Sequence, residues 1–142
     1  MLISGHGIFG CPSYQIALKS FHGRYVVAES NGQANANSVK IGPWEIFTVE
    51  ELEDESIALK SHNGKYLVAE NNGEVNANRN RRGPWETFKV LKQDDDTFAF
   101  RTSHGGYLVA EFDGRLRFDR TSFTSIKSRE KFEVECFRGN IE

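Results

Sequence analysis

The amino-acid sequence predicts an all-β protein, and three observations carry this prediction. First, the chain of 142 residues contains three near-identical phrases around Tyr25, Tyr66 and Tyr107. The spacing from one of these tyrosines to the next is constant, and we call it the repeat interval. Second, apolar and polar side chains alternate within each repeat with the two-residue period of a strand. Third, no segment shows the period of a long helix. A fixed repeat interval of this size indicates one supersecondary unit that buries its apolar face only by packing against its own copies.

Each repeat begins with a short apolar run that predicts its first strand, at residues 16–18, 57–59 and 98–100. A turn that ends in glycine follows each run, at Gly23, Gly64 and Gly106. The second strand carries the phrase Tyr-x-Val-Ala-Glu and leads into the dipeptides Asn31-Gly32, Asn72-Gly73 and Asp113-Gly114. Because Asn-Gly and Asp-Gly readily adopt the positive φ of a tight turn, a third strand is expected to fold straight back on the second.

The third strand contains Asn-Ala-Asn in the first two repeats and diverges in the third repeat. A loop then leads to a fourth strand, in which Glu-x-Phe-x-Val alternates and points Phe and Val inward. Four strands in each of three units give about twelve strands, which we expect to form a single domain over residues 1–142. The repeats are expected at about 14–52, 56–92 and 97–137, after a short tail at 1–12.

Twelve short antiparallel strands would leave exposed edges, so closure into a barrel is expected. Threefold repetition of a four-stranded unit predicts a β-trefoil with pseudo-threefold symmetry, in which six strands form the barrel and three hairpins cap one end. The central core is expected from apolar positions that recur in every unit: Leu18, Leu59, Phe100, Phe47, Phe88 and Phe132, backed by Val26, Leu67 and Leu108.

Composition excludes several function classes. The formal net charge is −2 and charged residues make up 27% of the chain, which is typical of neither a basic nucleic-acid binder nor an acidic tail, so bulk charge indicates no partner. No segment approaches the roughly 20 apolar residues that span a membrane. The first residues do not resemble a secretory signal, which makes a cytoplasmic protein the simplest expectation. Cys11 and Cys136 are therefore expected to be reduced thiols, although neighbouring first and last strands would allow a bridge.

The repeated phrases resemble a known family. Residues 58–70 are Ala-Leu-Lys-Ser-His-Asn-Gly-Lys-Tyr-Leu-Val-Ala-Glu, and Gly-Pro-Trp-Glu-Thr-Phe follows at 83–88. This pattern resembles the fascin-like β-trefoil repeat, well in repeats one and two and partly in repeat three. The resemblance implies a trefoil used by actin-bundling fascins, by hisactophilins, which are related in fold, and by modules of secreted carbohydrate-active enzymes.

Binding residues are expected where the repeats differ, because a scaffold tolerates change in its loops. The loop before the fourth strand differs most between the repeats. Its candidate partner-binding residues are Lys40, Arg79, Arg81, Arg82, Arg120, Lys127 and Arg129. Acidic residues collect instead at 50–55 and 94–96, where one unit joins the next. A basic face suits acidic actin, a phosphorylated headgroup or an anionic glycan. The family resemblance favours the actin filament among these, and we expect a monomer or weak dimer.

The alternative is a carbohydrate-binding module or lectin that binds an anionic or neutral glycan through repeat-related loops. Its candidate residues carry amides that match sugar hydroxyls: Asn35, Asn37, Asn76 and Asn78. Trp44 and Trp85 follow Gly-Pro and precede a core strand, so we expect partial burial of both rings rather than sugar stacking.

Catalysis and metal binding find no support in the sequence. The glutamates that close the phrase Tyr-x-Val-Ala-Glu recur in every unit, which favours a structural role over a catalytic one. His22, His62 and His104 lie in the first turns, with the first unit one position out of register, and they lack metal-ligand spacing. No Gly-rich phosphate loop or nucleophile elbow occurs. We therefore expect no enzymatic activity, no metal and no cofactor.

Overall fold

The computed structural model describes residues 7–119 and 126–137, and these residues form twelve antiparallel strands. The strands are β1 (Gln15–Ser20), β2 (Tyr25–Ala28), β3 (Ala34–Ser38), β4 (Phe47–Glu51), β5 (Ser56–Lys60), β6 (Tyr66–Ala69), β7 (Val75–Arg79), β8 (Phe88–Lys92), β9 (Phe98–Arg101), β10 (Tyr107–Ala110), β11 (Leu116–Asp119) and β12 (Phe132–Phe137). One-turn 3-10 segments lie at Pro43–Glu45, Glu53–Glu55, Pro84–Glu86 and Ser128–Glu130. No α-helix occurs in the described part of the chain, and none of its helical segments is long and apolar enough to cross a membrane.

Six of the strands close into a barrel. β1 pairs with β4, β4 with β5, β5 with β8, β8 with β9, β9 with β12, and β12 returns to β1. Every pairing is antiparallel, and closure leaves the barrel without an unpaired edge that could recruit another chain. The predicted all-β class and the predicted barrel closure are confirmed.

The other six strands form three hairpins, β2–β3, β6–β7 and β10–β11, which cover one end of the barrel. Backbone hydrogen bonds link each hairpin to the next in a ring: Ala77 N to Gly32 O at 2.8 Å, Phe118 N to Gly73 O at 3.1 Å, and Ala36 N to Gly114 O at 2.8 Å. The three donors are separated by the repeat interval, and so are the three acceptors, so the ring of hydrogen bonds has the same threefold repetition as the sequence. We call this layer the hairpin cap.

The core fills the space between the barrel and the hairpin cap. All nine residues predicted for it are buried, with no more than 1% of the surface of any of them exposed. Each fully buried side chain of this size contributes about 1.5–3 kcal/mol relative to an exposed one. The period-two pattern of the sequence therefore identified the inward face of the strands correctly.

The turn glycine of the third unit differs from the prediction. Gly23 and Gly64 have φ angles of 85° and 80°, and the residue with positive φ in the third unit is Gly105, at 104°, rather than Gly106. The turn residue with left-handed backbone recurs at the repeat interval. In the third unit two glycines are adjacent, so the sequence alone did not show which of them adopts this conformation. The same alignment of the repeats places His22 and His104 at equivalent positions. His62 in the second unit, and not His22 in the first, is therefore displaced by one residue.

The expectation of two reduced thiols is wrong, because Cys11 and Cys136 form a disulfide with their Cα atoms 5.4 Å apart. Antiparallel pairing of β1 with β12 along their whole length brings the two chain segments together. The segment 7–14 then crosses the barrel end opposite the hairpin cap. There the Phe9 ring packs edge-on against Phe98 at 5.0 Å, and the Ile8 N–H donates to the Glu51 carboxylate at 2.8 Å.

Candidate functional site

The loops that join the third and fourth strands of each unit contain most of the predicted partner-binding residues, at 39–46, 80–87 and 120–131. We call them the basic loops. Each loop ends in a 3-10 turn, and the carboxylate of a glutamate in that turn accepts a hydrogen bond from the backbone N–H three residues earlier. The three bonds run from Gly42 to Glu45, from Gly83 to Glu86 and from Lys127 to Glu130, each with 2.7 Å between nitrogen and oxygen. The three glutamates are buried, so each carboxylate satisfies a loop end that would otherwise lack an acceptor. These contacts fix the shape of the loop ends.

Three of the predicted arginines are held by carboxylates of the same molecule. Arg79 donates from Nη2 to Glu70 at 2.6 Å. Arg129 donates from Nη1 to Glu111 at 2.8 Å, and Arg82 pairs with Glu50 on the neighbouring unit. Their side chains are about two-fifths exposed. Glu70 and Glu50 compensate Arg79 and Arg82, whereas Glu111 is shared by Arg129 and Arg117 and compensates only one of them. The ion pairs hold Arg79 and Arg129 to the hairpins and Arg82 to barrel strand β4.

The remaining described cations of this set point into solvent. Lys40, Arg81 and Lys127 are exposed, and none of them makes an ion pair with another described residue. Lys40 and Arg81 are separated by the repeat interval and so occupy equivalent positions in two units. Arg120 lies outside the described residues. The uncompensated positive charge of the described part of the basic loops therefore comes from these three side chains and from Arg129, which shares Glu111 with Arg117.

Acidic side chains lie at the other end of the barrel. The turns between β4 and β5 and between β8 and β9 contain the exposed residues Glu53, Asp54 and Glu55 and the exposed residues 94–96. These turns connect strand ends that face away from the hairpin cap, because Tyr25 and Tyr66 at the hairpin starts pair with the opposite strand ends. The free cations Lys40, Arg81 and Lys127 are thus set apart from these two turns. The hairpin cap also exposes Glu74 and Asp113, and Lys131 at the end of the third basic loop reaches Asp95.

The asparagines of the alternative site divide between two environments. Asn35 and Asn76 donate their amide hydrogens to Glu29 at 3.1 Å and Glu70 at 2.9 Å, so the repeated glutamates brace their own hairpins. In the third unit Arg117 takes the same position and binds Glu111 at 2.9 Å. Asn37 and Asn78 are exposed, and the Oδ1 atom of Asn78 accepts from Arg79 at 2.7 Å. The four asparagines therefore do not converge on one site.

Both predicted tryptophans are about two-fifths exposed, which agrees with the expected partial burial. Trp44 stacks on His62 with 6.0 Å between ring centroids, and Trp85 lies 5.1 Å from the ring of His104. The matching residue of the third unit is Arg129. Two of the three units therefore present an indole ring beside an imidazole at the surface.

The hairpin cap holds a polar depression that the sequence analysis did not identify. Its floor consists of Ala34, Val75 and Leu116, which recur at the repeat interval. Its rim consists of polar side chains of all three units: Gln33, Asn35, Asn72, Glu74, Asn76, Arg115 and Arg117. We call it the axial depression, because the three hairpins meet around it. No group of three metal-ligating side chains occurs among residues 7–119 and 126–137.

Fold and surface together define a small all-β barrel domain with three interlocked hairpins and no strongly charged cleft in its described part. The family model of the FRG1-like domain matches residues 42–121, which is more than half of the chain. The chain belongs to this family of β-trefoil-like domains. No curated protein matches the sequence. The fascin-like resemblance therefore stays an interpretation of the repeated phrases.

Proposed function

We propose that this FRG1-like domain is a β-trefoil of the fascin-like type that binds actin filaments through its basic loops and catalyses no reaction. The observation that carries the proposal is the separation of the free cations Lys40, Arg81 and Lys127 from the acidic turns at the other barrel end. The resemblance of the repeats to fascin-like domains supplies the partner. A cytoplasmic monomer or weak dimer that needs no cofactor fits this role, and this location requires that the Cys11–Cys136 disulfide withstands the reducing conditions there.

The mechanism is charge-steered docking on an acidic surface. Exposed lysine and arginine side chains raise the rate of encounter, and their effect falls as salt screens the field over about 10 Å at 0.1 M ionic strength. Arg79, Arg82 and Arg129 act indirectly, because their ion pairs hold the loops in the shape that presents the free cations. A single docking surface binds one filament, so bundling requires a second site or a dimer.

Co-sedimentation with filamentous actin tests the proposal. The protein is spun with filaments at low and at physiological salt, at high and at low centrifugal speed. The key variant combines Lys40→Ala, Arg81→Ala and Lys127→Ala, all at exposed positions. Arg24→Ala is the matched control, because it removes an exposed positive charge from a turn outside the basic loops. We expect the triple variant to bind several-fold more weakly and the control to bind normally.

The outcomes separate the parts of the proposal. Pelleting of the wild type only at high speed indicates a single-site filament binder, and pelleting at low speed indicates bundling. Arg24→Ala removes one charge and the triple variant removes three, so a loss of binding free energy in Arg24→Ala of about a third of that in the triple variant would show that total charge matters and not the basic loops. If the wild type does not pellet at any salt concentration, actin is not the partner.

A carbohydrate-binding module is the second candidate, favoured by the half-exposed rings of Trp44 and Trp85. An indole face stacks on the apolar face of a sugar ring. Retention on insoluble polysaccharides, lost in Trp44→Ala and Trp85→Ala, would favour this candidate over filament binding. Retention that survives both substitutions would exclude the tryptophans as its site.

A further inference from the structure

The axial depression has the size and build of a small-molecule site. Its cavity volume is about 470 Å³, within the range of about 300–1,000 Å³ usual for such sites. Three apolar side chains form the floor and polar side chains surround it. The residues come from three segments separated by the repeat interval in sequence, so only the folded hairpin cap assembles them.

Part of the polar rim is not required by the fold of the cap. Hairpins join through backbone atoms, both in the ring of hydrogen bonds and in the bridges between Gln33 and Asn76, Asn35 and Arg115, and Glu74 and Arg117. At one of these positions the outward side chain differs in all three units, as Gln33, Glu74 and Arg115, whereas the floor is apolar in all three. A rim that the fold does not dictate is where ligand contacts can be placed.

Several polar groups of the rim have no partner among the described side chains. Gln33 and Glu74 make no side-chain hydrogen bond with another described residue. Asn35 and Asn76 use their amide hydrogens on glutamates, which leaves their carbonyl oxygens as acceptors. Asn72 accepts a bond from the Glu74 backbone N–H at 3.0 Å, which leaves its amide hydrogens as donors. The depression therefore offers both donors and acceptors.

The guanidinium groups add further donors with little net charge. Arg115 uses Nε on Asp113 at 2.9 Å, and Arg117 uses Nη1 on Glu111 at 2.9 Å. The other N–H groups of both side chains are left for a ligand. Asp113 compensates Arg115, whereas Arg117 shares Glu111 with Arg129, which leaves one positive charge. The carboxylate of Glu74 balances that charge, so the rim favours neither an anion nor a cation.

We infer that the axial depression binds a neutral polyhydroxylated molecule, such as a monosaccharide or the terminal sugar of a glycan. Hydroxyl groups donate and accept hydrogen bonds, which matches the mixed rim, and the C–H face of a sugar ring matches the floor of Ala34, Val75 and Leu116. No aromatic ring of the described residues lines the depression, so we expect weak binding. This site is single and axial, it is distinct from the tryptophan surfaces, and it does not depend on filament binding.

Backbone amide NMR spectra during titration test this inference. The probes are glucose, galactose, mannose, N-acetylglucosamine and myo-inositol, with inorganic phosphate and glucuronate as charged comparisons. At least one neutral probe is expected to cause saturable shifts confined to residues 33–35, 72–76 and 115–117. Glu74→Ala and Gln33→Ala each remove an exposed rim side chain and are expected to weaken binding about threefold to tenfold.

Two further variants separate charge from hydrogen bonding. Glu53→Ala removes an exposed carboxylate at the opposite end of the barrel, and it is expected to leave the affinity unchanged. Glu74→Gln keeps a hydrogen-bonding group without the charge and is expected to retain binding of the neutral probe. The inference is overturned if no neutral probe shifts these amides at millimolar concentrations, if the shifts map to Trp44 and Trp85, or if only the charged probes bind.

Discussion

The Tyr66 hydroxyl donates a hydrogen bond to the Glu50 carboxylate, and both carboxylate oxygens lie 2.9 Å from it. Tyr25 makes the same contact with Glu135 at 3.0 and 3.1 Å. In each case a tyrosine that begins a hairpin reaches a barrel strand of the preceding unit. In the remaining unit Leu91 occupies the position that corresponds to Glu50 and Glu135, because Leu91 pairs with β9 as Glu50 pairs with β5. Tyr107 therefore meets no carboxylate there.

This asymmetry gives a prediction with an internal control. Tyr66→Phe removes a hydrogen bond to a charged group and is expected to lower the free energy of unfolding by about 1–2 kcal/mol. Tyr107→Phe removes a hydroxyl from an equally buried ring that faces Leu91, and its effect is expected to stay below about 0.5 kcal/mol. Urea unfolding of both variants measures the difference. Equal losses would mean that the contact with Glu50 does not stabilise the fold.

Close packing in the hairpin cap gives a second prediction. Gly114 has a φ of 93°, and a Cβ atom there would lie 2.8 Å from the Cβ atom of Asn37. Gly73 is its equivalent, with a φ of 97°, but a Cβ atom there would meet no atom closer than 3.8 Å. Both alanine substitutions incur the strain of positive φ, about 1 kcal/mol, whereas Gly114→Ala also incurs the clash.

We therefore expect Gly114→Ala to destabilise the domain by about 1–3 kcal/mol more than Gly73→Ala. Thermal unfolding followed by circular dichroism measures both values. Asn37→Ala keeps the Cβ atom and should not relieve the clash, whereas Asn37→Gly should restore part of the stability of Gly114→Ala. No recovery in that double variant would assign the loss to backbone strain alone.

The disulfide gives a third prediction. Cys11 and Cys136 close a loop with a sequence separation of 125, which restricts the unfolded chain strongly. Reduction is expected to lower the free energy of unfolding by about 3–5 kcal/mol and to free segment 7–14 from the barrel end. Thermal unfolding with and without dithiothreitol measures the effect, and the double variant Cys11→Ser, Cys136→Ser serves as control because its stability should not respond to the reductant.

Alkylation before and after reduction checks whether the bond forms. Protein purified without reductant is expected to show no reactive thiol until it is unfolded and reduced. Two reactive thiols in the native protein would restore the expectation of reduced cysteines and would agree with a reducing compartment. In that case the stability should not change with dithiothreitol.

Much of the fold could be predicted because the same strand and turn signals occur in each of the three repeats. The apolar alternation identified Leu59, Phe88 and the other core positions, and the Asn-Gly and Asp-Gly dipeptides identified the hairpins. Both signals act over a few residues and recur, so a chance match in one unit is corrected by the others. The turn glycine was missed only where Gly105 and Gly106 are adjacent.

The candidate site could be predicted only in part, because charge compensation is a long-range property. The loop sequence around Arg82 looks uniformly basic, but its partner Glu50 lies 32 residues earlier. The axial depression likewise combines positions from three units, and no local pattern marks Gln33, Glu74 and Arg115 as neighbours. Superposing the repeats at their period would place these residues on one ring, which is the signal that could have found them.

Asp95 gives the fourth prediction, which concerns pH. Its Oδ1 atom accepts from the Thr97 hydroxyl at 2.6 Å and from the Thr97 N–H at 3.1 Å, and its Oδ2 atom accepts from Lys131 Nζ at 3.1 Å. The Thr97 hydroxyl, followed by Lys131, lowers the pKa of this carboxyl from 3.8 to about 2. The folded state therefore favours the charged form more than the unfolded state does.

A depressed pKa contributes stability above the unfolded value of 3.8, and that contribution is lost as the pH falls toward about 2. Asp95→Asn is thus expected to be less stable than the wild type at neutral pH, with the difference shrinking between those two values. Asp94→Asn, an exposed neighbour in the same turn, is the control and should show a smaller difference at neutral pH. Urea unfolding across this pH range measures it. A difference that stays constant with pH would mean that the amide disturbs the turn by its shape, and that the charge of Asp95 does not stabilise the junction between β8 and β9.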